Sequence, residues 1–458
     1  MLPCVKSKQI KYIDLFAGMG GFRRGFELAA EKFGVEAKCV FTSEIKGSAL
    51  KFYSENFENV EEIDITKIDA ISIPNFDVLL AGFPCQAFSS AGKREGFLDT
   101  RGTLFFDIER ILKEHRPKGF ILENVEGLVN HDKGSERSPI GRTLTTILSS
   151  LEVLGYKTSW KVLDSSDFGL AQQRKRIFIV GTLDFKVSLD KFDKVKVTLD
   201  EVLEKNLPTE SSKTIELLLK KFDLSDLPGK SLKDKRGGIN NIHSWDIDLK
   251  GRTTSAQREL LNELLKARRN KKWGVKKGIT WMDGMPLTIR EIKTFYYHPK
   301  LNENLQDLVD KGYLVFEHPK DLVEVGVGKA RKLVREKRED LPKGYNIVAG
   351  KLSFEISKIL DPRGVTPTLV ATDLDRMMVI EKKGLRRLSI VEMMRLFGFA
   401  DSMTVSLKRN EIVDLLGNSV PVNIVECVAE RLIGLILEPD KHKKFVDTSV
   451  KLDQGVLF

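Results

Sequence analysis

The chain has 458 residues, 41% of them hydrophobic, and a formal net charge of +10 from 75 Lys and Arg against 65 Asp and Glu. The length allows two or three domains, and the apolar fraction is enough for a full core, which argues against intrinsic disorder. The four cysteines form no CxxC pair, and no apolar run approaches the ~18 residues of a membrane span. We therefore expect a soluble protein of a reducing cytoplasm without a metal site, and the basic excess fits a polyanionic partner.

Short apolar runs alternate with helical stretches in the first part of the chain. The runs that predict strands are 12–16, 38–44, 76–82, 119–125 and 176–181, and the predicted helices are 20–33, 46–57 and 104–115. Such alternation predicts a mostly parallel sheet with helices on both faces, which binds ligands beyond the carboxyl ends of its strands.

The pattern loosens between 186 and 385, where lysine-rich amphipathic segments mix with short strands and Gly and Pro. This part predicts a second domain of irregular α+β character. Two further helical segments follow at 388–399 and 418–437, and the second is strongly amphipathic.

A glycine-rich turn, "DLFAGMGGF" (14–22), joins the first strand to the first helix. Glycines let the backbone approach a ligand closely, and the helix N-terminus offers free N–H groups. Glu44 closes the second strand, where a carboxylate suits ribose hydroxyls, and Asp64 follows Ile63 at a predicted third strand end. A tight turn without a ligand is the alternative. The pattern favours a nucleoside cofactor, and the residues leave NAD and S-adenosylmethionine both open.

Cys85 follows the strand 76–82 in "GFPCQAFSSAGKREG", a polar and basic loop. A buried packing cysteine has apolar neighbours on both sides, whereas here Pro84 ends the strand and Lys93 and Arg94 follow. Nearby cations favour the thiolate, and the loop is long enough to close over a substrate. A nucleophile is the interpretation that we favour over a structural cysteine.

Glu123 ends the strand 119–125, so it lies at the same sheet edge as Cys85. Its carboxyl group suits a general acid if burial raises its pKa, and a surface glutamate that caps the loop is the alternative. "QQRKRIFIVG" places Arg174 and Arg176 before the next strand, on one face by alternation. Two arginines there suit an anion or a base carbonyl, or they are solvated at an edge strand.

The ordered segments "DLFAGMGGF", "SEI", "DIT", "GFPCQAFS", "ENV", "AQQRKRIFIVG", "RRLSIVEMMRLFGF" and "GNSVPVNIV" together resemble the motif series of DNA (cytosine-5) methyltransferases, most closely the bacterial and phage enzymes of restriction–modification systems. The resemblance covers nearly all of 11–183 and 363–435. It implies an α/β fold: a Rossmann-like S-adenosylmethionine-dependent methyltransferase domain with a smaller irregular α+β target-recognition domain. Ile45 stands where some relatives carry an aromatic residue that stacks on adenine.

The resemblance also implies a mechanism. Cys85 would add to C6 of a cytosine flipped out of the duplex, and Glu123 would supply a proton or hydrogen bond at N3. Arg176, with Arg174 behind it, would hold the O2 side of the ring. The product would be DNA methylated at C5, formed with S-adenosylmethionine as the cofactor.

Two sets of contacts carry over by resemblance. Cofactor contacts would come from Phe16, Gly18, Met19, Gly21, Glu44, Asp64, Gly82, Pro84, Leu104, Asn418 and Ser419. DNA contacts would come from Ser89, Ser90, Lys93, Arg94, Thr368 and Leu369. No residue is expected to bind a metal.

The domain boundaries follow from the same resemblance. We expect a discontinuous catalytic domain over 1–188 and 400–458, and a target-recognition domain with its hinge over 189–399. Within the latter, 264–282 carries seven Lys or Arg, no acidic residue, and Trp273 and Trp281. Basic and aromatic residues together suit a phosphate-tracking surface, and a solvated helix face with buried tryptophans is the alternative.

The expected partner is double-stranded DNA, and the protein would act as a monomer in the bacterial cytoplasm, associated with the nucleoid. A cognate restriction endonuclease would be a functional but not a physical partner, and no membrane is involved. An RNA (tRNA) cytosine-5 methyltransferase is the first alternative, which the large basic central region disfavours. A silent DNA-binding protein or an NAD enzyme on a similar sheet is the second.

Overall fold

The computed structural model describes residues 8–58, 60–84, 104–134, 139–280, 284–325, 332–348 and 354–448. These residues divide into two compact units. Unit 1 takes the described residues of Met1–Glu204, Pro362–Asp375 and Leu388–Phe458, and unit 2 those of Lys205–Asp361 and Arg376–Arg387.

Unit 1 contains one six-stranded sheet. Its strands are β1 (Gln9–Leu15), β2 (Glu36–Ser43), β3 (Val78–Gly82), β4 (Gly119–Val125), β5 (Lys157–Asp164) and β6 (Lys175–Thr182). The order across the sheet is β2-β1-β3-β4-β6-β5. The pairs from β2 to β4 are parallel, whereas β6 is antiparallel to both β4 and β5. The predicted, mostly parallel sheet is therefore confirmed, with an antiparallel hairpin at one edge.

Helices cover both faces of this sheet. They are α1 (Gly21–Glu31), α2 (Gly47–Asn56), α3 (Leu104–His115), α4 (Arg142–Val153), α10 (Ile390–Arg395), α11 (Arg409–Asn418) and α12 (Val422–Leu437). Alternate strand residues point to opposite faces, so Val78 and Leu80 join the core formed with α1 and α12, while Leu79 joins the core formed with α3 and α4.

Unit 2 combines short strands and helices. Its helices are α5 (Lys213–Lys221), α6 (Ser255–Ala267), α7 (Lys271–Lys277), α8 (Ile289–Ile292) and α9 (Leu301–Asp310). Its strands are β7 (Ser231–Leu232), β8 (Asn241–Ile242), β9 (Leu314–Glu317), β10 (Lys320–Val325), β11 (Lys332–Lys337), β12 (Gly344–Ile347), β13 (Lys358–Ile359), β14 (Met377–Glu381) and β15 (Gly384–Arg387). They form one five-stranded sheet, β15-β14-β13-β7-β8, and two two-stranded ribbons.

The unit boundaries differ from the expected domain boundaries at 188 and 400. Backbone hydrogen bonds explain the difference, because Leu199 N–H donates to Gly364 O at 2.8 Å and Asp200 N–H donates to Pro362 O at 2.8 Å. Arg395 Nη1 also donates to Val202 O at 2.9 Å. The segments 189–204, 362–375 and 388–399 therefore pack within unit 1.

Most predicted elements of unit 1 are present, and α3 has the predicted bounds. The sequence pattern did not predict α4 or β5. The sequence of β5, "KTSWKVLD", contains too few apolar residues to indicate a strand. No strand forms at Ile63 in the described chain: Glu62 makes a single parallel bridge to Glu44. Among the described residues, none of the helices has the length and apolar character that a membrane crossing requires.

The close approach of α1 to α12 yields a stability prediction. A Cβ atom at Gly25 would lie 2.6 Å from Val425 Cβ and 2.8 Å from Val422 O. Helix propensity alone favours Ala over Gly by about 1 kcal/mol. We expect Gly25→Ala to lower the melting temperature nevertheless, because overpacking of this kind costs about 1–3 kcal/mol.

Gly47→Ala is the matched control, because Gly47 opens α2 and a Cβ there has no neighbour within 4 Å. Thermal unfolding followed by circular dichroism measures both variants. Equal or higher melting temperature for Gly25→Ala than for Gly47→Ala would contradict the close packing of the two helices.

Candidate active site

The glycine-rich turn after β1 has an unusual backbone. Phe16 and Gly18 both have positive φ angles, +57° and +55°. Neighbouring segments hold the turn: Ala17 N–H donates to Ser43 O at 3.1 Å, and Gly18 N–H donates to Glu44 Oε2 at 2.8 Å. A left-handed non-glycine residue such as Phe16 costs energy that surrounding contacts must offset, and such residues concentrate at functional sites.

Glu44 lies directly after β2, at the carboxyl edge of the sheet. Its Oε1 accepts from the N–H groups of Ile45 and Lys46, both at 2.8 Å. The carboxylate is therefore oriented by backbone donors on both oxygens. Ile45 beside it is 61% exposed and offers an apolar surface at the same edge.

Asp64 lies next to Glu44 and Ile45 but is not at the end of a strand. Ile63 N–H donates to Glu44 O at 3.0 Å, so the segment runs beside Glu44, and Asp64 then caps a short 3₁₀ helix. Its side chain accepts from the Thr66 N–H as the cap, and its Oδ1 also accepts from Thr66 Oγ1 at 2.7 Å. These two hydrogen bonds, together with Lys67, hold the pKa of Asp64 below its usual range.

Ser419 meets the glycine turn from the other side. A Cβ atom at Gly21 would lie 2.8 Å from Val420 Cγ1 and 3.3 Å from Ser419 Oγ, so only glycine fits there. Asn418 ends α11 with an exposed side chain whose Nδ2 donates to Asp414 O at 2.8 Å. The structure thus brings Gly18, Glu44, Gly21 and Ser419 together.

The remaining predicted cofactor residues occupy the same edge or the core beneath it. Met19 is buried in the turn, Gly82 ends β3, and Leu104 opens α3. Pro84 is the last described residue before the gap that ends at residue 103.

Asp14, in β1, is a buried acid that the sequence analysis did not single out. Its Oδ2 accepts from Tyr53 Oη at 3.4 Å, while its Oδ1 has no hydrogen-bond partner among the described residues. Burial raises the pKa of Asp14 well above its usual range, and the nearby Arg23 opposes the shift only in part. No local pattern distinguishes a buried aspartate from an exposed one near the end of a strand, so the burial of Asp14 was not predictable.

Glu123 and Arg176 form an ion pair at the carboxyl end of β4. Arg176 Nε lies 3.0 Å from Glu123 Oε1, and each side chain is 12% exposed. Burial raises the pKa of Glu123 above its usual range, while Arg176 and then Arg174 oppose the shift. Glu123 is therefore a buried carboxyl group with a raised pKa, as a general acid requires, and not a surface cap.

The chain that leads to Cys85 is anchored to the same strand. Asn124 Nδ2 donates to Phe83 O at 3.1 Å, and Gly82 pairs with Glu123 across β3 and β4. Asn124 is a site residue that sequence reasoning missed, although it lies inside "ENV". Cys85 itself, with Ser89, Ser90, Lys93 and Arg94, lies outside the described residues.

Arg174 has different partners from Arg176. It is buried, and its guanidinium donates to three backbone carbonyls, those of Leu369, Gly417 and Ser419. Thr368 is exposed and its Oγ1 donates to Gln173 O at 2.7 Å. Leu369 is fully buried in unit 1, so its side chain packs in the core, and its expected place near DNA stays a prediction.

The basic segment of unit 2 contains a helix with one charged face. Trp273 in α7 is buried and its Nε1 donates to Ala267 O at 2.9 Å, so it belongs to the core of this unit. Lys271, Lys272 and Lys276 are exposed on the same helix. Trp281 lies outside the described part of the chain.

Asp14 yields a prediction on pH dependence. Its pKa is higher in the folded than in the unfolded chain, so the folded state binds more protons between the two values, and the free energy of unfolding falls as pH rises through that window. Asp14→Asn removes this dependence. We expect the melting temperature of Asp14→Asn, relative to wild type, to increase as pH rises above the usual titration range of an aspartate.

Asp64→Asn serves as the control of opposite sign. The pKa of Asp64 is lowered on folding, so its contribution to stability is present at neutral pH and is lost as pH falls. The melting temperature of Asp64→Asn relative to wild type should therefore decrease as pH rises. Parallel curves for Asp14→Asn and wild type would contradict a buried acid with a raised pKa.

Comparisons with known proteins agree on one family. The sequence pattern of the C-5 cytosine-specific DNA methylases matches residues 10–434. The chain is 57% identical to the Type II methyltransferase M.NlaIV of Neisseria lactamica, over 93% of this chain and 99% of that protein. It is 42% identical to M.BanI of Aneurinibacillus aneurinilyticus, over 93% and 96% of the two chains.

A solved structure shows the same fold at low identity. The methyltransferase EhMeth of Entamoeba histolytica superimposes with a TM-score of 0.50 at 17% identity, covering 94% of this chain and 100% of that one. The Rossmann-like fold and the resemblance inferred from the motif series are thus confirmed. The motif order, the carboxyl-edge geometry and the match over 10–434 show that this chain belongs to the family of C-5 cytosine-specific DNA methylases.

Proposed function

We propose that the protein methylates C5 of cytosine at a specific sequence in double-stranded DNA, with S-adenosylmethionine as the cofactor, and protects host DNA in a restriction–modification system. The observation that carries the proposal is the buried Arg176–Glu123 pair at the sheet edge that also holds the glycine turn. The relatives named Type II methyltransferases support the restriction–modification role and favour DNA over RNA.

The residues of the glycine turn fit S-adenosylmethionine. The absence of a side chain at Gly21 lets Ser419 and Val420 pack directly on the turn, and the oriented Glu44 carboxylate retains an acceptor site on Oε2 for a ribose hydroxyl. The exposed Ile45 supplies an apolar surface for the adenine ring, and Asp64 lies beside it. The turn from Phe16 to Gly21, Glu44 and the Asn418–Ser419 segment would hold the cofactor, which supplies an electrophilic methyl group when bound.

The chain's own residues would perform the remaining chemistry. The Cys85 thiolate would add to C6 of the flipped cytosine, which makes C5 nucleophilic, while Glu123 delivers a proton or hydrogen bond at N3. Arg176, now paired with Glu123, would hold the O2 side of the ring. Once C5 carries the methyl group, loss of the C5 proton lets the Cys85 thiolate leave. Removing the base from the duplex costs a few kcal/mol of stacking.

The proposed role of unit 2 is target recognition. Its exposed lysines on α7 suit DNA phosphates, which supply affinity but no sequence information. Base-edge contacts from the same unit would supply specificity. We propose further that the protein acts as a monomer on nucleoid DNA, and that a cognate endonuclease shares its recognition sequence without binding it.

Cys85→Ser tests the mechanism. We expect loss of methyl transfer with cofactor affinity near that of wild type, because the thiolate is required for addition to C6 but not for the cofactor site. Bisulfite sequencing of DNA from expressing cells measures the methylation and reads the recognition sequence. Duplex DNA with 5-fluorocytosine at the target should trap a covalent adduct with wild type only.

Cys427→Ser is the matched control. Cys427 lies on α12, where burial raises the pKa of its thiol to about 11, so it stays protonated at neutral pH. This variant should retain methylation and adduct formation. Full methylation activity of Cys85→Ser would overturn the proposed mechanism. If wild type gives neither methylation in bisulfite sequencing nor an adduct with 5-fluorocytosine DNA, the proposed function is overturned.

The DNA-binding role of α7 predicts a change in salt dependence. The double variant Lys272→Gln/Lys276→Gln should bind duplex DNA more weakly and lower the slope of log K against log salt by about 2, since each lost phosphate contact removes about 0.9. The control Lys441→Gln/Lys443→Gln has the same change in net charge, but both lysines are paired with acids, Glu438 and Asp440. An unchanged slope in the α7 variant contradicts the assignment.

A further inference from the structure

The buried guanidinium of Arg174 joins segments that are far apart in the chain. Its Nη1 donates to Leu369 O at 3.0 Å, and its Nη2 donates to Gly417 O at 3.0 Å and to Ser419 O at 2.8 Å. The guanidinium carbon lies 5.1 Å from the centroid of the Phe397 ring. One side chain thus contacts three separate segments of unit 1.

The two residues before Arg174 attach to the same segments. Gln172 Nε2 donates to Leu396 O at 2.9 Å, and Leu369 N–H donates to Gln172 Oε1 at 3.3 Å. Gln173 O accepts from Thr368 Oγ1 at 2.7 Å. These contacts fix the position of the segment 366–369 and of the end of α11 relative to the start of β6.

This cluster lies between the two parts of the proposed active site. Ser419, whose carbonyl Arg174 binds, packs against Gly21 of the glycine turn. Arg176 lies two residues after Arg174 and pairs with Glu123. A displacement of Arg174 would therefore move the turn that carries Asn418 and Ser419 relative to the strand that carries Arg176.

The chemistry of arginine suits this position. A guanidinium has five N–H donors in a rigid plane, so a single group serves three carbonyls, whereas a lysine ammonium on a flexible stem cannot reproduce that fork. Buried carbonyls without donors cost free energy, so the three acceptors also need Arg174.

We propose that Arg174 is a positioning residue for cofactor binding: its carbonyl contacts hold the Gly417–Ser419 turn against the glycine turn and in register with Arg176. The inference rests on the proposed S-adenosylmethionine site. It assigns Arg174 a role that acts through the backbone, in contrast to Arg176, for which we propose direct contact with the reacting base.

Arg431 provides a matched control elsewhere in unit 1. Its guanidinium also donates to three carbonyls, those of Ser188, Asp190 and Lys191, at 2.6, 2.6 and 3.1 Å. It also lies on an aromatic ring, 3.5 Å from the centroid of Phe192. None of these partners belongs to the proposed cofactor site.

The experiment compares Arg174→Lys with Arg431→Lys. Equilibrium dialysis with labelled S-adenosylmethionine measures cofactor affinity without DNA, and thermal unfolding measures stability. We expect both variants to lose stability to a similar extent, but only Arg174→Lys to raise the Kd for the cofactor by about tenfold, as is typical of coupling between sites. In steady state, KM for the cofactor should rise more than kcat falls.

Similar cofactor affinity in the two variants would overturn the inference, because Arg174 would then be structural only. Wild-type protein that binds no S-adenosylmethionine would instead overturn the proposed function. If Arg174→Lys does not fold, hydrogen exchange of wild type decides: the cofactor should protect amides in 366–370 and 417–420 together, and not those in 188–191. Protection confined to the glycine turn would contradict the inference.

Discussion

The antiparallel orientation of β6 beside β4 is the constraint on which the candidate active site depends. β1, β3 and β4 run in parallel, so their carboxyl ends meet at one edge of the sheet. β6 runs in the opposite direction and therefore begins at that edge, where Arg176 lies opposite Val125. This arrangement lets Arg176, at the start of β6, meet Glu123, whereas a parallel β6 would place its first residues at the opposite edge of the sheet.

The ion pair at this edge is better explained by chemistry than by stability. Taking a carboxylate and a guanidinium out of water costs several kcal/mol per ion, and their attraction offsets that cost only with excellent geometry. Arg176 offers Glu123 a single nitrogen, Nε, while its Nη1 donates to Lys175 O. Burial raises the pKa of Glu123 although Arg176 and Arg174 oppose the shift, which suits a carboxyl group that gives and takes a proton during the reaction.

Prediction from sequence succeeded where a local pattern determines the structure. The apolar spacing of α3 gave its bounds, and the glycine turn, Glu44 and Glu123 were placed correctly because strand ends share an edge. It failed where tertiary contacts decide. Ile63 looked like a strand end, but its neighbour Glu62 makes a single bridge to Glu44, and the pKa of Asp14 depends on burial that no local pattern encodes.

The discontinuity of unit 1 explains why buried arginines matter in it. The chain leaves this unit and returns through segments 362–375 and 388–458, whose described residues add no strand to its sheet. Carbonyls buried in such irregular segments lack the partners that a ladder provides, yet buried backbone groups must be paired. Arg174 satisfies three of them, those of Leu369, Gly417 and Ser419. Arg431, on the returning helix α12, instead satisfies three carbonyls of the first part of the unit, those of Ser188, Asp190 and Lys191. Arginine side chains thus join the returning segments to the first part of the unit, and one of these two junctions lies against the proposed cofactor turn.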